Sequence, residues 1–345
     1  MAYTTINKST DYFNTKLYSG TGSAQDITGL DFQPDFNWIK RRNTTGSHRI
    51  QDAVRGSTKY LASNATDGEV DAGDVDAFLS NGFSLDSGST AYNASGSTYA
   101  SWNWLANGTG SANTDGTISS TVSANTTSGF SIVSWSGTGS NGTIGHGLGD
   151  TPSLMIIKNR NNVGEWRVWN STFNADQYLY LNRTDAVATQ SILFNSTLPT
   201  SSVISAGTSG DINSSGRTYI AYCFAEKQGF SKFGSYTGNG NADGTFVYTG
   251  FKPAFVIAKK SGSGGADGWK MIDNKRNSYN VVNANVSAEK SDAEATNQVA
   301  CDFLSNGFKW RSASGGANAS TQEYIYMAFA SAPLVGTNNV PANAR

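Results

Sequence analysis

The sequence predicts an all-β protein made of three tandem antiparallel β-sandwich domains of jelly-roll type, and three observations lead there. Hydrophobic residues are 37% of the 345 and charged residues only 15%, while 38 are Gly, a composition of short strands and many turns. Aromatic residues supply 12% of the chain, which gives so polar a sequence enough apolar area to bury and argues against disorder. Finally, a unit of about 100 residues occurs three times, and units of that size can carry their own cores.

Each unit opens on an aromatic residue and a Gly-rich turn, then runs through a strand to Pro and an apolar strand closed by Lys. The three copies read Tyr18-SGTGSAQDITGLDFQPDFNWI-Lys40, Trp135-SGTGSNGTIGHGLGDTPSLMII-Lys158 and Tyr236-TGNGNADGTFVYTGFKPAFVIA-Lys259. A shorter signature follows as His48-RIQD, Trp166-RVWN and Trp269-KMID. Next come Phe78-LSNGFSL and Phe303-LSNGFKW, a segment that the second unit replaces with Ile192-LFNSTLP. Every unit closes on Asn, a turn, and Tyr six residues later, as in Asn93-ASGST-Tyr99, Asn213-SSGRT-Tyr219 and Asn318-ASTQE-Tyr324.

The strand after that Tyr alternates. It sets Ala100, Trp102 and Trp104 on one face, Ile220, Tyr222 and Phe224 in the second copy, and Ile325, Met327 and Phe329 in the third, and this face is expected in the core. The resulting organisation is an N-terminal arm (1–9), repeat 1 (10–107), a linker (108–116), repeat 2 (117–227), repeat 3 (229–333) and an extended C-terminal arm (334–345), with the sandwiches arranged as beads rather than as a three-bladed propeller, since units of this length can carry their own cores. One helical turn is expected between Ser287 and Cys301, where Ala and Glu concentrate.

With 25 basic and 26 acidic residues spread along the chain, no polyanion-binding stripe is present and nucleic acid is not an expected partner. No apolar run approaches the length of a membrane span or a signal core, so neither membrane insertion nor secretory export is expected. Cys223 and Cys301 stand at non-equivalent positions and are expected to be reduced and buried.

Two His in the whole chain, His48 and His146, leave acid–base and metal chemistry without its commonest side chain. His48 takes a slot filled by Trp in the other units and reads as packing; His146 lies in a Gly-rich turn and reads as solvent-exposed or packed in that turn. No catalytic residues are assigned, and no enzymatic activity is expected. Five carboxylates crowd into one stretch, Asp67, Glu69, Asp71, Asp74 and Asp76, and form a weak Ca²⁺ candidate whose spacing departs from an EF-hand loop; no other cofactor is expected. Flat rings with polar neighbours are the remaining binding candidates. Trp166, Arg167 and Trp169, Trp269, Lys270 and Asp273, and Trp310 could stack sugar faces and bond hydroxyls, against the alternative that these rings pack between sheets.

The segments DFQPDFNWIKRR, GFKPAFVIAKK, FLSNGF, TYIAYCFAEK, EYIYMAFASAP and NNVPANAR resemble a family of repeat-containing proteins of tailed bacteriophages, many from marine hosts, of tail-fibre-like or uncharacterised virion type. The resemblance spans nearly the whole chain. It implies concanavalin-like β-sandwich repeats and a virion protein that folds in the host cytoplasm. On that basis the expected role is a structural protein on the particle exterior, a tail fibre or tail-associated adhesin contacting host surface polysaccharide, with other virion proteins as partners and a homotrimer as the expected assembly. A capsid decoration or head-fibre protein is the second expectation, and a polysaccharide-degrading enzyme the third.

Overall fold

Four strands recur in every repeat in one spatial order. An opening strand (Phe13–Ser19, Phe130–Ser136, Ser231–Thr237) pairs antiparallel with the closing strand (Thr98–Trp104, Thr218–Phe224, Glu323–Pro333). The closing strand pairs in turn with a middle strand (Phe36–Arg41, Leu154–Asn159, Phe251–Lys260), and that with an outer strand (Arg49–Asp52, Arg167–Asn170, Lys270–Asp273). A smaller antiparallel sheet accompanies each large one, of three strands in repeats 1 and 3 and two in repeat 2. The computed structural model describes residues 3–263 and 267–341.

The repeated signatures meet in space. Tyr18 stacks on Tyr99, Trp135 on Tyr219 and Tyr236 on Tyr324, with ring centroids 4.9, 5.5 and 5.0 Å apart. The signature Asn, fully buried in each copy, clasps the Gly-rich turn. Asn213 Oδ1 accepts from Thr138 N at 2.9 Å while its Nδ2 donates to the Ser140 and Gly207 carbonyls, and Asn93 and Asn318 do the same for their own turns. A Cβ on Gly20, Gly137 or Gly238 would lie 2.2–2.3 Å from the carbonyl oxygen of Ala94, Ser214 or Ala319. Only glycine lets the two signatures approach that closely.

Alternation along the closing strand divides the side chains between two layers. In repeat 3, Tyr324, Tyr326 and Ala328 face the small sheet with Val247, Phe308 and Trp310, whereas Ile325, Met327 and Phe329 face the other way. That second face is the expected core face in all three repeats, and it packs against the other two repeats. Trp104, Phe224 and Phe329, at equivalent positions, form a triangle with centroid separations of 6.3, 6.0 and 5.4 Å, and one continuous buried cluster joins side chains from all three repeats. The expected arrangement as separate beads is thereby corrected: the apolar side opposite each small sheet is covered by sister repeats.

Three further expectations change. Ser111–Asn113, inside the expected linker, pairs with Ser120–Asn125 and extends the sheet of repeat 2. The expected helical turn at 287–301 is not formed, because that segment crosses to neighbouring backbone, with Asn285 bridging Ala295; an α-helical turn occurs instead at Ser191–Phe194, where repeat 2 departs from its siblings. The arms hold each other. Tyr3 N donates to Asn339 Oδ1, Asn7 and Thr337 exchange two bonds, and Val335 bridges back to Pro341; the expected arm's residues 342–345 lie outside the described residues.

Candidate functional site

The sequence-predicted binding residues lie at the seams between repeats and in repeat cores. The first residue of the short signature reaches across each seam. Trp166 Nε1 donates to the Ala62 carbonyl of repeat 1 (2.9 Å), Trp269 Nε1 to the Tyr180 carbonyl of repeat 2 (2.9 Å), and His48 Nε2 to the Ser287 carbonyl of repeat 3 (3.0 Å). Repeat 2 thus holds repeat 1, repeat 3 holds repeat 2, and repeat 1 holds repeat 3, which closes a ring of three.

A buried Lys repeats the pattern. Lys158 Nζ donates to Thr66 O (3.0 Å) and Asn159 O (3.1 Å), Lys40 to Arg41 O and Ser291 O, and Lys259 to Thr184 O, Asp185 O and Lys260 O. Their partners are carbonyls, with the charges of Asp67, Asp185 and Asp292 nearby, so burial dominates and pushes all three ammonium groups down to about 8. The receiving segments, 62–69, 180–187 and 287–294, share a Thr/Ser-Asp pair (Thr66-Asp67, Thr184-Asp185, Ser291-Asp292). That short spacing is the signal by which sequence reading could have found them.

Two seams add buried ion networks. In repeat 1, Asp52 binds Arg55 (2.6 Å) and accepts from Tyr222 Oη of repeat 2 (2.8 Å); in repeat 3, Asp273 binds Arg276 (2.5 Å) and accepts from Trp102 Nε1 of repeat 1 (3.1 Å). Across the same seams Arg160 grips Glu69 with two bonds and Arg42 grips Glu294 likewise. Burial opposes the charge on Glu69, but Arg160 and Arg55 hold its carboxyl below the usual range. The third seam changes every member together. Asn170 and Phe173 replace the Asp and Arg, Met327 replaces the Tyr or Trp donor, and Val187 and Ser261 replace the Glu and Arg. A donor facing an apolar neighbour would be orphaned in the interior, so loss of one partner favours loss of the rest.

The exposed sugar platform expected from Trp166, Arg167, Trp169, Trp269, Lys270, Asp273 and Trp310 is therefore corrected, since all seven are buried. Arg167 binds Asp211 (2.6 Å) and lies over the Tyr178 and Tyr180 rings. Trp169 donates to Asn174 O, Lys270 to Gln298, and Trp310, on a strand of the small sheet of repeat 3, packs on Phe308 in the core between that sheet and the closing strand. The weak Ca²⁺ candidate is likewise dispersed. Glu69 is held by its two arginines, Asp71 lies on a two-residue strand opposite Lys59, and among the described residues no three of Asp67, Glu69, Asp71, Asp74 and Asp76 converge as metal ligands.

His48 and His146 are buried, and burial lowers both imidazoles; His48 Nδ1 accepts from Trp38 Nε1 and His146 Nε2 donates to Thr200 O. Cys223 and Cys301 are free and buried, as expected from their spacing, and burial pushes the Cys223 thiol up to about 12.

Open concave surface occurs on repeat 3. A cleft of about 240 Å³ is lined by Lys252, Asn274, Asn277, Tyr279, Asn280 and Phe303, among others. Tyr279 is 87% exposed, and the Asn274 Oδ1 atom is buried there with no partner among the described residues. Asn280 is fixed by two bonds to the Phe303 backbone and Asn277 by two backbone donors, so the rim is built rather than loose. Phe246 and Tyr248, the other large exposed rings among the described residues, also belong to repeat 3. Sequence reading passed over this cleft because it lies where repeat 3 runs longer than its siblings: Ser291 follows Asp273 by 18 positions, whereas Thr66 follows Asp52, and Thr184 follows Asn170, by 14.

Comparison with known proteins places residues 8–333 in a domain of unknown function, DUF7483, and the chain belongs to that family. No curated protein and no solved structure matched it.

Proposed function

We propose that this DUF7483 protein is a non-catalytic structural protein of a virion exterior that contacts host surface glycans through repeat 3. The observation that carries the reading is the distribution of aromatic rings: repeats 1 and 2 turn theirs inward, while repeat 3 presents Tyr279 beside Lys252 and the Asn274 amide. A ring that offers a flat face, flanked by amide and ammonium groups, matches the alternating apolar faces and hydroxyls of a sugar. The phage resemblance of the repeat signatures supports the location. In this reading each large and small sheet together form one concanavalin-like β-sandwich. The ring of repeats supplies within one chain the threefold arrangement that a fibre otherwise obtains from a homotrimer.

A second reading is favoured by one further observation. The described parts of the two arms bond to each other, a compact arrangement that suits a capsid decoration protein. Sedimentation of the purified chain with host cells and with capsids separates the two. Cell binding that Tyr279→Ala abolishes, with unchanged thermal stability, supports the glycan reading. Capsid binding alone replaces it with decoration, and release of reducing sugar would refute both.

A further inference from the structure

The three seams share their backbone bonding but not their side chains. Glu69 N donates to Arg160 O, Glu294 N to Arg42 O and Val187 N to Ser261 O, so the three segments cross equivalent neighbours. In the first two seams a guanidinium fills the space beside that bond. Arg160 gives Nε and Nη2 to Glu69 and Nη1 to Ser134 Oγ (3.0 Å). In the third seam Ser261 leaves that volume unfilled, and a cleft of about 230 Å³ opens there.

Its walls combine acceptors with an apolar floor. Ser235 stands at the position of Ser134, the hydroxyl that accepts from Arg160, by the equal strand registers of repeats 2 and 3. Glu323 stands where the other closing strands carry Thr98 and Thr218, and its carboxylate forms no ion pair among the described residues. Phe173 provides a ring where the other repeats hold Arg55 and Arg276, and Gln177 adds an amide. A carboxylate, a hydroxyl and an aromatic face around a slot left by a deleted arginine are the elements that recognise a planar cation.

We propose that this cleft binds a guanidinium group, supplied as an arginine side chain by a partner protein. The incoming group takes the place that Arg160 and Arg42 fill within the chain at the sister seams, with Glu323 as its counter-charge in place of the lost Glu. The inference is independent of the Tyr279 cleft.

The test uses the full chain and agmatine as probe, titrated by calorimetry at low ionic strength, where a single exposed ion pair is least screened. Saturable binding is expected, weakened about tenfold by Glu323→Gln, on the order of one charge-assisted bond. The paired change Ser261→Arg with Val187→Glu restores the Arg–Glu pair of the sister seams and should abolish agmatine binding while preserving or raising the melting temperature. If that double variant fails to fold, Ser261→Gln, which fills the slot without charge, serves instead and should also abolish binding. No saturable binding, binding unaffected by Glu323→Gln and by the slot-filling variants, or preferential uptake of a neutral methyl hexoside at this cleft would each overturn the proposal.

Discussion

Replacing Lys158 with Met removes an ammonium group that the fold keeps fully buried against the Thr66 and Asn159 carbonyls. In the unfolded chain that group titrates near ~10.4, whereas burial brings it to about 8 in the folded one. The unfolded state therefore binds more protons between these values, and the wild-type lysine costs stability at neutral pH that is recovered as pH rises. The difference corresponds to about 3 kcal/mol, gained at about 1 kcal/mol per pH unit across the window. Buried thiols and phenols work the other way: Cys223 and Cys301 stay protonated while their unfolded counterparts ionise above ~8.5. The informative quantity is consequently the difference between wild type and Lys158→Met, in which those groups cancel. Urea unfolding at intervals from pH 7 to 10.5 should show wild type gaining about 3 kcal/mol relative to the variant. A difference that stays flat, or that falls with pH, would mean that the native ammonium is not desolvated and would refute the reasoning for Lys40 and Lys259 as well.

Asp273→Ala should cost about 3–5 kcal/mol in urea unfolding, because it leaves Arg276 buried with a remaining contact to Glu294 and orphans Trp102 Nε1. Gly137→Ala should cost about 2 kcal/mol or more, since the new methyl meets the Ser214 carbonyl, while Gly46→Ala, whose Cβ has only ordinary contacts, should stay within about 0.5 kcal/mol. Trp269→Ala should lower stability by about 3–5 kcal/mol, by cavity formation and loss of the bond to Tyr180 O; adsorption lost without any loss of stability would contradict its burial. Residues 229–333 expressed alone should lack a cooperative melt by circular dichroism, because Ile325, Met327 and Phe329 would face water, and a sharp independent transition would restore the picture of separate beads.

Much of this architecture is legible in the chain itself. Period-two alternation places Trp102, Tyr222 and Met327 on the apolar face, and the recurring Asn and Gly mark turns. Two free cysteines at non-equivalent positions, and a His in a Trp slot, likewise read correctly as packing. These are local properties: a strand's pleat and a turn's steric needs depend on neighbours in sequence.

Tertiary structure decided what covers each apolar face. Trp166 and Trp269 look the same in sequence whether they meet a sugar or a carbonyl of a sister repeat, and only closure of the ring sends them to Ala62 and Tyr180. The same closure buries Lys40, Lys158 and Lys259, side chains that pattern alone would leave in solvent. It also turns the loss of Arg, Glu and Asp at the third seam from unrelated substitutions into one coordinated change. Burial is a sum over the whole assembly of strands, whereas sequence spacing reports one strand at a time, so which aromatic rings remain outside, Tyr279 among them, emerges only once all three repeats are in place.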